Sequence, residues 1–144
     1  MLMKLENEVT NITPIDLPDK AACEPLKTPV IGAEVQMAGH GGYQIDANGH
    51  ALPGKATDLK CATMHVSNCN VPVIQKCKPN EPVVNWICYA EQNVDTCGGD
   101  SGGGLIHKDK LYGVHVGSGT CVCTIPAFAL NVCHYREWIE NNAK

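Results

Sequence analysis

The amino-acid sequence predicts an all-β protein, a small closed barrel of about six antiparallel strands followed by a C-terminal α-helix. Three observations predict it. The 144 residues carry 14 glycines and 9 prolines against only 18% charged residues, which suits a loop-rich sheet protein better than a helical bundle. Apolar or alternating segments of strand length recur between turn residues. Near the end, Tyr135-Arg136-Glu137-Trp138-Ile139-Glu140-Asn141 has helical spacing, with Trp138 and Ile139 expected on one side. Hydrophobic residues make up 44% of the chain, enough for a core and too many for disorder.

Residues 1–5 are a short strand candidate. Residues 10–29 hold Pro14, Pro18, Pro25 and Pro29, so they are expected to form an irregular connection. An alternating stretch within residues 30–38 ends at Gly39, Gly41 and Gly42. Residues 43–58 read as a surface loop, with Gly49, Pro53 and Gly54 as turn signals. Residues 59–66 and the apolar, β-branched residues 83–90 read as strands, whereas residues 70–76 fit a short helix or a loop equally well. The glycine cluster at 98–104 breaks the pattern. Residues 105–107, a turn at Lys108-Asp109-Lys110 and residues 111–116 make a hairpin. Residues 117–120 form a loop, and residues 125–132 are the last strand.

The formal net charge of −4, from 11 basic and 15 acidic residues, leaves no basic footprint for a nucleic acid. No apolar run approaches the length of a membrane span, so no membrane partner is expected. Nine cysteines are too dispersed for a zinc knuckle. Only Cys121 and Cys123 are close in sequence, and no metal or cofactor is expected. Dispersed cysteines in a chain rich in glycine and proline read as disulfides formed in an oxidising compartment, so the protein is expected to be secreted or stored in secretory granules. Nine is odd, so at least one thiol pairs elsewhere or stays free. Residues 1–5 lead into acidic sequence without the apolar core of a signal peptide, and a lost front end is expected. Asn11-Ile12-Thr13 is a glycosylation sequon.

The strongest local signal is Asp95-Thr96-Cys97-Gly98-Gly99-Asp100-Ser101-Gly102-Gly103. It resembles the nucleophile loop of the chymotrypsin/trypsin family of serine endopeptidases. The resemblance extends to Met1-Leu2-Met3-Lys4-Leu5, Asp58-Leu59-Lys60-Cys61, Asn85-Trp86-Ile87-Cys88 and Val132-Cys133-His134-Tyr135-Arg136-Glu137-Trp138-Ile139. It implies the second, Greek-key barrel of that fold, with residues 1–144 as the C-terminal half of the domain and the N-terminal barrel absent. It also implies Ser101 as nucleophile, the backbone N–H groups of Gly99 and Ser101 as oxyanion hole, and Asp100 as partner of a cleaved N-terminal ammonium. Asp95, six residues before Ser101, would form the floor of a primary pocket for Lys or Arg side chains of protein or peptide substrates. Thr96, Gly98, Val116, Gly117, Ser118 and Ala127 would line the substrate path.

Three features depart from the family pattern. Val116-Gly117-Ser118 stands where relatives usually have Ser-Trp-Gly, Ala127 adds a methyl where trypsins usually have glycine, and Gly104 replaces a common proline. None of His40, His50, His65, His107, His115 and His134 lies in the family's catalytic histidine context. That histidine and the orienting aspartate belong before residue 1, so the isolated chain is expected to be inactive. By resemblance Cys23 pairs with Cys133, Cys69 with Cys88 and Cys97 with Cys121. The usual remaining disulfide is lost at both ends, where Val35 and His107 stand. Cys77 and Cys123 are expected to pair, leaving Cys61 for a cysteine of the missing half. Such a half is also expected to expose an apolar face and associate. The alternatives are a catalytically inactive binding module and a truncated product.

Overall fold

The computed structural model describes residues 2–24, 29–48, 50, 52–77, 85–119 and 125–143. Its elements are α1 (Lys20–Cys23), β1 (Glu34–Gly39), β2 (Lys60–Ser67), α2 (Val71–Cys77), β3 (Trp86–Ala90), β4 (Gly104–His107), β5 (Lys110–Gly117), β6 (Ala127–Asn131) and α3 (Val132–Asn142). The strands close into an antiparallel barrel in the order β1-β2-β3-β6-β5-β4. The ladder is long between β1 and β2, from Glu34 opposite His65 to Gly39 opposite Lys60. Closure between β1 and β4 rests on one register pair, Gln36 opposite Ile106.

Period-two alternation fixes which side chains enter the barrel. Val35 and Met37 of β1 and Met64 and Val66 of β2 are buried, while Glu34, Gln36 and Ala38 between them are exposed. They join Ile87, Tyr89, Leu105, Tyr112, Ala127 and Ala129 in one core. Ile74 of α2 packs with Cys88, Ile125 and Phe128 in a second cluster, where Trp86 stacks on Phe128 with ring centroids 4.3 Å apart. The ambiguous stretch at 70–76 is thus helical, because Ile74 is fully buried against that cluster. The hairpin turns on Lys108 and Asp109, both at positive φ (48° and 58°), the geometry whose twist matches antiparallel strands. Lys110 already belongs to β5.

Residues 2–15 do not form the strand expected at 1–5. Leu2, Met3 and Leu5 are exposed, Met3 by 80%. A strand needs a ladder partner, and residues 2–15 have none among the described residues. The segment joins the fold at Asp16, which bridges to Lys110 and whose carbonyl accepts from Leu111 N at 2.9 Å. Pro18 is buried, and its carbonyl accepts from the Arg136 guanidinium of α3. The Cys23–Cys133 disulfide locks α1 to α3 across 110 residues, and Cys69–Cys88 ties the start of α2 to β3. Among the described residues Cys61 is exposed and bonded to no other cysteine. The pairings expected at Cys121, Cys123 and the Cys77 side chain lie outside the described residues. Helix α3 is capped by the Asn131 side chain, which accepts from Cys133 N at 3.0 Å. Trp138 is 47% exposed and Ile139 half-buried. The two do not share a face as expected, because neighbours on a helix lie about 100° apart.

Replacing Cys23 and Cys133 together by serine is expected to lower the unfolding free energy by about 2–5 kcal/mol, given the length of the loop they close. Urea unfolding measures it. An unchanged midpoint would refute the stabilising role of this bond.

Candidate active site

The loop between β3 and β4 is built around one carboxylate. Asp100 Oδ2 accepts from Cys97 N at 2.9 Å, while Asp100 N donates to the Cys97 carbonyl at 3.1 Å. This reciprocal pair closes a tight turn. Its other oxygen, Oδ1, accepts from Gly41 N at 2.8 Å. Gly42 N adds a bond to the Gly98 carbonyl at 3.2 Å. The segment after β1 thereby holds the nucleophile loop from one side. A side chain at Gly39 or Gly41 would overlap the Asp100 carboxylate, so the glycines there form its cradle.

From the other side β5 holds the loop. Gly102 N donates to the His115 carbonyl at 2.9 Å and His115 N donates to the Gly103 carbonyl at 2.8 Å. Ser101 is exposed at the tip, and its Oγ donates to the Val116 carbonyl at 3.1 Å. Gly99 has φ +111°, and a Cβ there would press on Gly41 Cα, so only glycine suits the position. The N–H groups of Asp100, Gly102 and Gly103 are engaged within the fold, while those of Gly99 and Ser101 bond to nothing among the described residues. Two unengaged donors flanking an exposed hydroxyl can stabilise an oxyanion formed beside it.

Asp95, Thr96 and Asp100 line a cavity of about 310 Å³ together with Gly41, Tyr43 and Lys60. Asp95 is half-buried and its Oδ1 accepts from Thr96 N at 2.8 Å. The Thr96 hydroxyl is buried without a partner among the described residues. Ser118 Oγ donates to the Thr96 carbonyl at 3.0 Å, which joins the segment after β5 to the segment before the nucleophile. Val116 packs on the second core cluster, and Gly117 lies near the Phe128 ring. Ala127 is buried opposite Tyr89 in the barrel. Neither Ser118 nor Ala127 lines the cavity that holds Asp95. Gly98 is exposed, as is Asn11 of the sequon. No group of His, Cys, Asp and Glu among the described residues could hold a metal ion.

The buried ionisable groups lie under the loop. The His115 ring is 3% exposed and its Nδ1 is 2.6 Å from the Tyr89 hydroxyl. Burial pulls its pKa down to about 4, against the opposing field of Asp100. Burial and the charges of Asp95 and Asp100 push the Tyr89 hydroxyl well above its usual range.

A loop of this construction, at this place on a six-stranded barrel, can be compared with known proteins. The trypsin family profile matches residues 1–139. The chain belongs to the trypsin family. A snake venom serine protease of Gloydius halys is 30% identical over 98% of this chain and 52% of its own length. Trypsin II-P29 of Gallus gallus is 30% identical over 97% of this chain and 53% of its own. The chain thus spans about half the length of the curated relatives it matches. Among solved structures, neuropsin, a serine protease expressed in the limbic system of mouse brain, superposes with a TM-score of 0.72 at 24% identity, covering 92% of this chain and 55% of that one. A scabies mite inactivated protease paralogue superposes with a TM-score of 0.65 at 24% identity, covering 91% and 52%. These two show the fold alone.

Within this trypsin-family barrel, two features escaped sequence reasoning. One is the cradle at Gly39 and Gly41. Its signal was the density of Gly39-His40-Gly41-Gly42, more glycine than one turn requires. The other is the Tyr89–His115 pair, whose members lie 26 residues apart in segments that read as ordinary strand.

Two outcomes follow from this geometry. Gly41→Ala is expected to cost roughly 1–3 kcal/mol, and much less in an Asp100→Ala background, since the clash is with that carboxylate; a double-mutant cycle in urea tests the coupling. His115 binds its proton less readily folded than unfolded, where its pKa is near 6.5. Its contribution is therefore complete above about pH 6.5 and is lost as pH falls toward 4, a change of about 2–3 kcal/mol. His115→Gln should flatten the stability profile in that window.

Proposed function

We propose that this chain is the nucleophile-bearing part of a secreted serine endopeptidase that hydrolyses peptide bonds in protein substrates. The observation that carries the reading is the loop tip, where exposed Ser101 Oγ lies beside the unengaged N–H groups of Gly99 and Ser101. In the reaction, Ser101 Oγ attacks the substrate carbonyl carbon and its proton passes to a general base. The two N–H groups hold the resulting oxyanion. Collapse expels the amine, which takes that proton, and leaves an acyl ester on Ser101. Water then releases the acid and restores the hydroxyl.

The base and its orienting carboxylate come, in this reading, from polypeptide outside the 144 residues. Supporting it, Ser101 Oγ is bonded to the Val116 carbonyl rather than to an imidazole, and the relatives are about twice as long. The chain by itself is inactive. Cys61, exposed on β2, joins the first barrel through a disulfide. Asp100 accepts the ammonium of a cleaved N-terminus, and the cavity it lines with Asp95 has room for one. Asp95 selects Lys or Arg at the cleavage site. Secretion fits the two disulfides, and no helix among the described residues is long and apolar enough to cross a membrane. A binding module without activity is the second reading, favoured by Val116-Gly117-Ser118 in place of Ser-Trp-Gly.

Titration with a fluorophosphonate tests the division of labour. The 144-residue chain alone should remain unlabelled. The polypeptide completed by its first barrel should label once, at Ser101, and lose the label in Ser101→Ala. Stoichiometric labelling of the chain alone would overturn the proposed origin of the base, and absence of label in the completed protein would establish the binding module.

A further inference from the structure

Beneath the nucleophile loop sits a polar pair that the reaction above does not use. Tyr89 on β3 is fully buried in the apolar core of the barrel, and His115 on β5 is nearly so. Their hydrogen bond, 2.6 Å from the Tyr89 oxygen to His115 Nδ1, is short for a pair of neutral groups. The bond joins the two strands in either neutral tautomer, with the hydroxyl donating to Nδ1 or accepting from Nδ1–H. The ring therefore pins β5 to β3 at one height.

Two apolar residues could fill this space at lower desolvation cost. A hydrogen-bonded pair adds direction, which an apolar contact lacks. The direction matters at this residue because the His115 backbone is the inner support of the loop. Its carbonyl accepts from Gly102, its N–H donates to the Gly103 carbonyl, and the next carbonyl, that of Val116, accepts from Ser101 Oγ. One residue thus has its ring fixed inside the barrel and its backbone fixed to the nucleophile segment.

We propose that Tyr89 and His115 are a positioning pair, whose buried hydrogen bond sets the height of β5 and through it holds residues 101–103 in the arrangement that presents Ser101. The charged groups facing the pair are Asp95 and Asp100, both on the loop. From β1 the Tyr89 hydroxyl meets the Met37 sulfur, and opposite His115 on β6 stands Ala129, so no strand partner adds a charge. The role concerns order in the loop and holds whether Ser101 acts in catalysis or only in binding.

Amide hydrogen exchange by NMR on the 144-residue chain tests it. Tyr89→Phe keeps the ring and removes the hydroxyl. Protection of the Gly102 and His115 amides is expected to fall at least 10-fold, with the β1–β2 ladder changed less than 2-fold. Equal loss everywhere would reduce the pair to general stability, and unchanged protection of Gly102 would also overturn the proposal. Imidazole nitrogen shifts of the unaltered chain give a second reading that needs no variant. The ring should hold one neutral tautomer from pH 7 down to pH 5. A mixture of tautomers, or a ring that takes up its proton near pH 6.5, would overturn it. Neither measurement depends on fluorophosphonate labelling, so each proposal can fail alone.

Discussion

The Asp100 carboxylate is the interaction on which the rest of the site depends. It faces two backbone N–H groups from different parts of the chain, Gly41 after β1 and Cys97 within its own loop. A carboxylate accepting two such bonds is a strong, directional fastener. It turns the chain sharply between Cys97 and Ser101, a turn in which the Gly99 and Ser101 N–H groups stay unengaged among the described residues. The glycines at 39 and 41 are consequences of it, since each keeps open space that a side chain would fill. Ser101 is exposed because the residue before it is anchored inward.

The barrel supplies the second half of the constraint. A loop held only by Asp100 could still rock about that anchor. The bonds from Gly102 and to Gly103 give it a second line of support on β5, and β5 is the strand whose interior face carries the buried imidazole. β5 lies between β4 and β6, with ladders on both sides, whereas β1 meets β4 at a single register pair.

Much of the fold was legible in the sequence because its signals are local. Alternation marked β1, a segment of strand length marked β2, the β-branched run marked β3, and the Lys108-Asp109 turn marked the hairpin. Residues 1–5 misled because alternation states that a segment can pair, while pairing itself needs a partner strand, which the described residues do not offer them. Residues 70–76 stayed ambiguous because Ile74 is helical by virtue of the cluster it enters, a tertiary fact. The same division runs through the site. The loop could be read from consecutive residues 95–103. The supports at Gly41, Tyr89 and His115 come from three other elements, and a sequence does not display contacts at separations of 26 and 59 residues.

The bond between Cys23 and Cys133 brings two Cα atoms 110 residues apart to within 5.2 Å. Topologically it makes the barrel a ring. A single backbone cut anywhere inside that ring, for instance in the exposed stretch at residues 52–55, opens the circle without releasing a fragment. For a protein that belongs to a family of proteases, this is a form of tolerance to its own kind: a nick leaves one covalent molecule, with all six strands still tethered and free to re-pair.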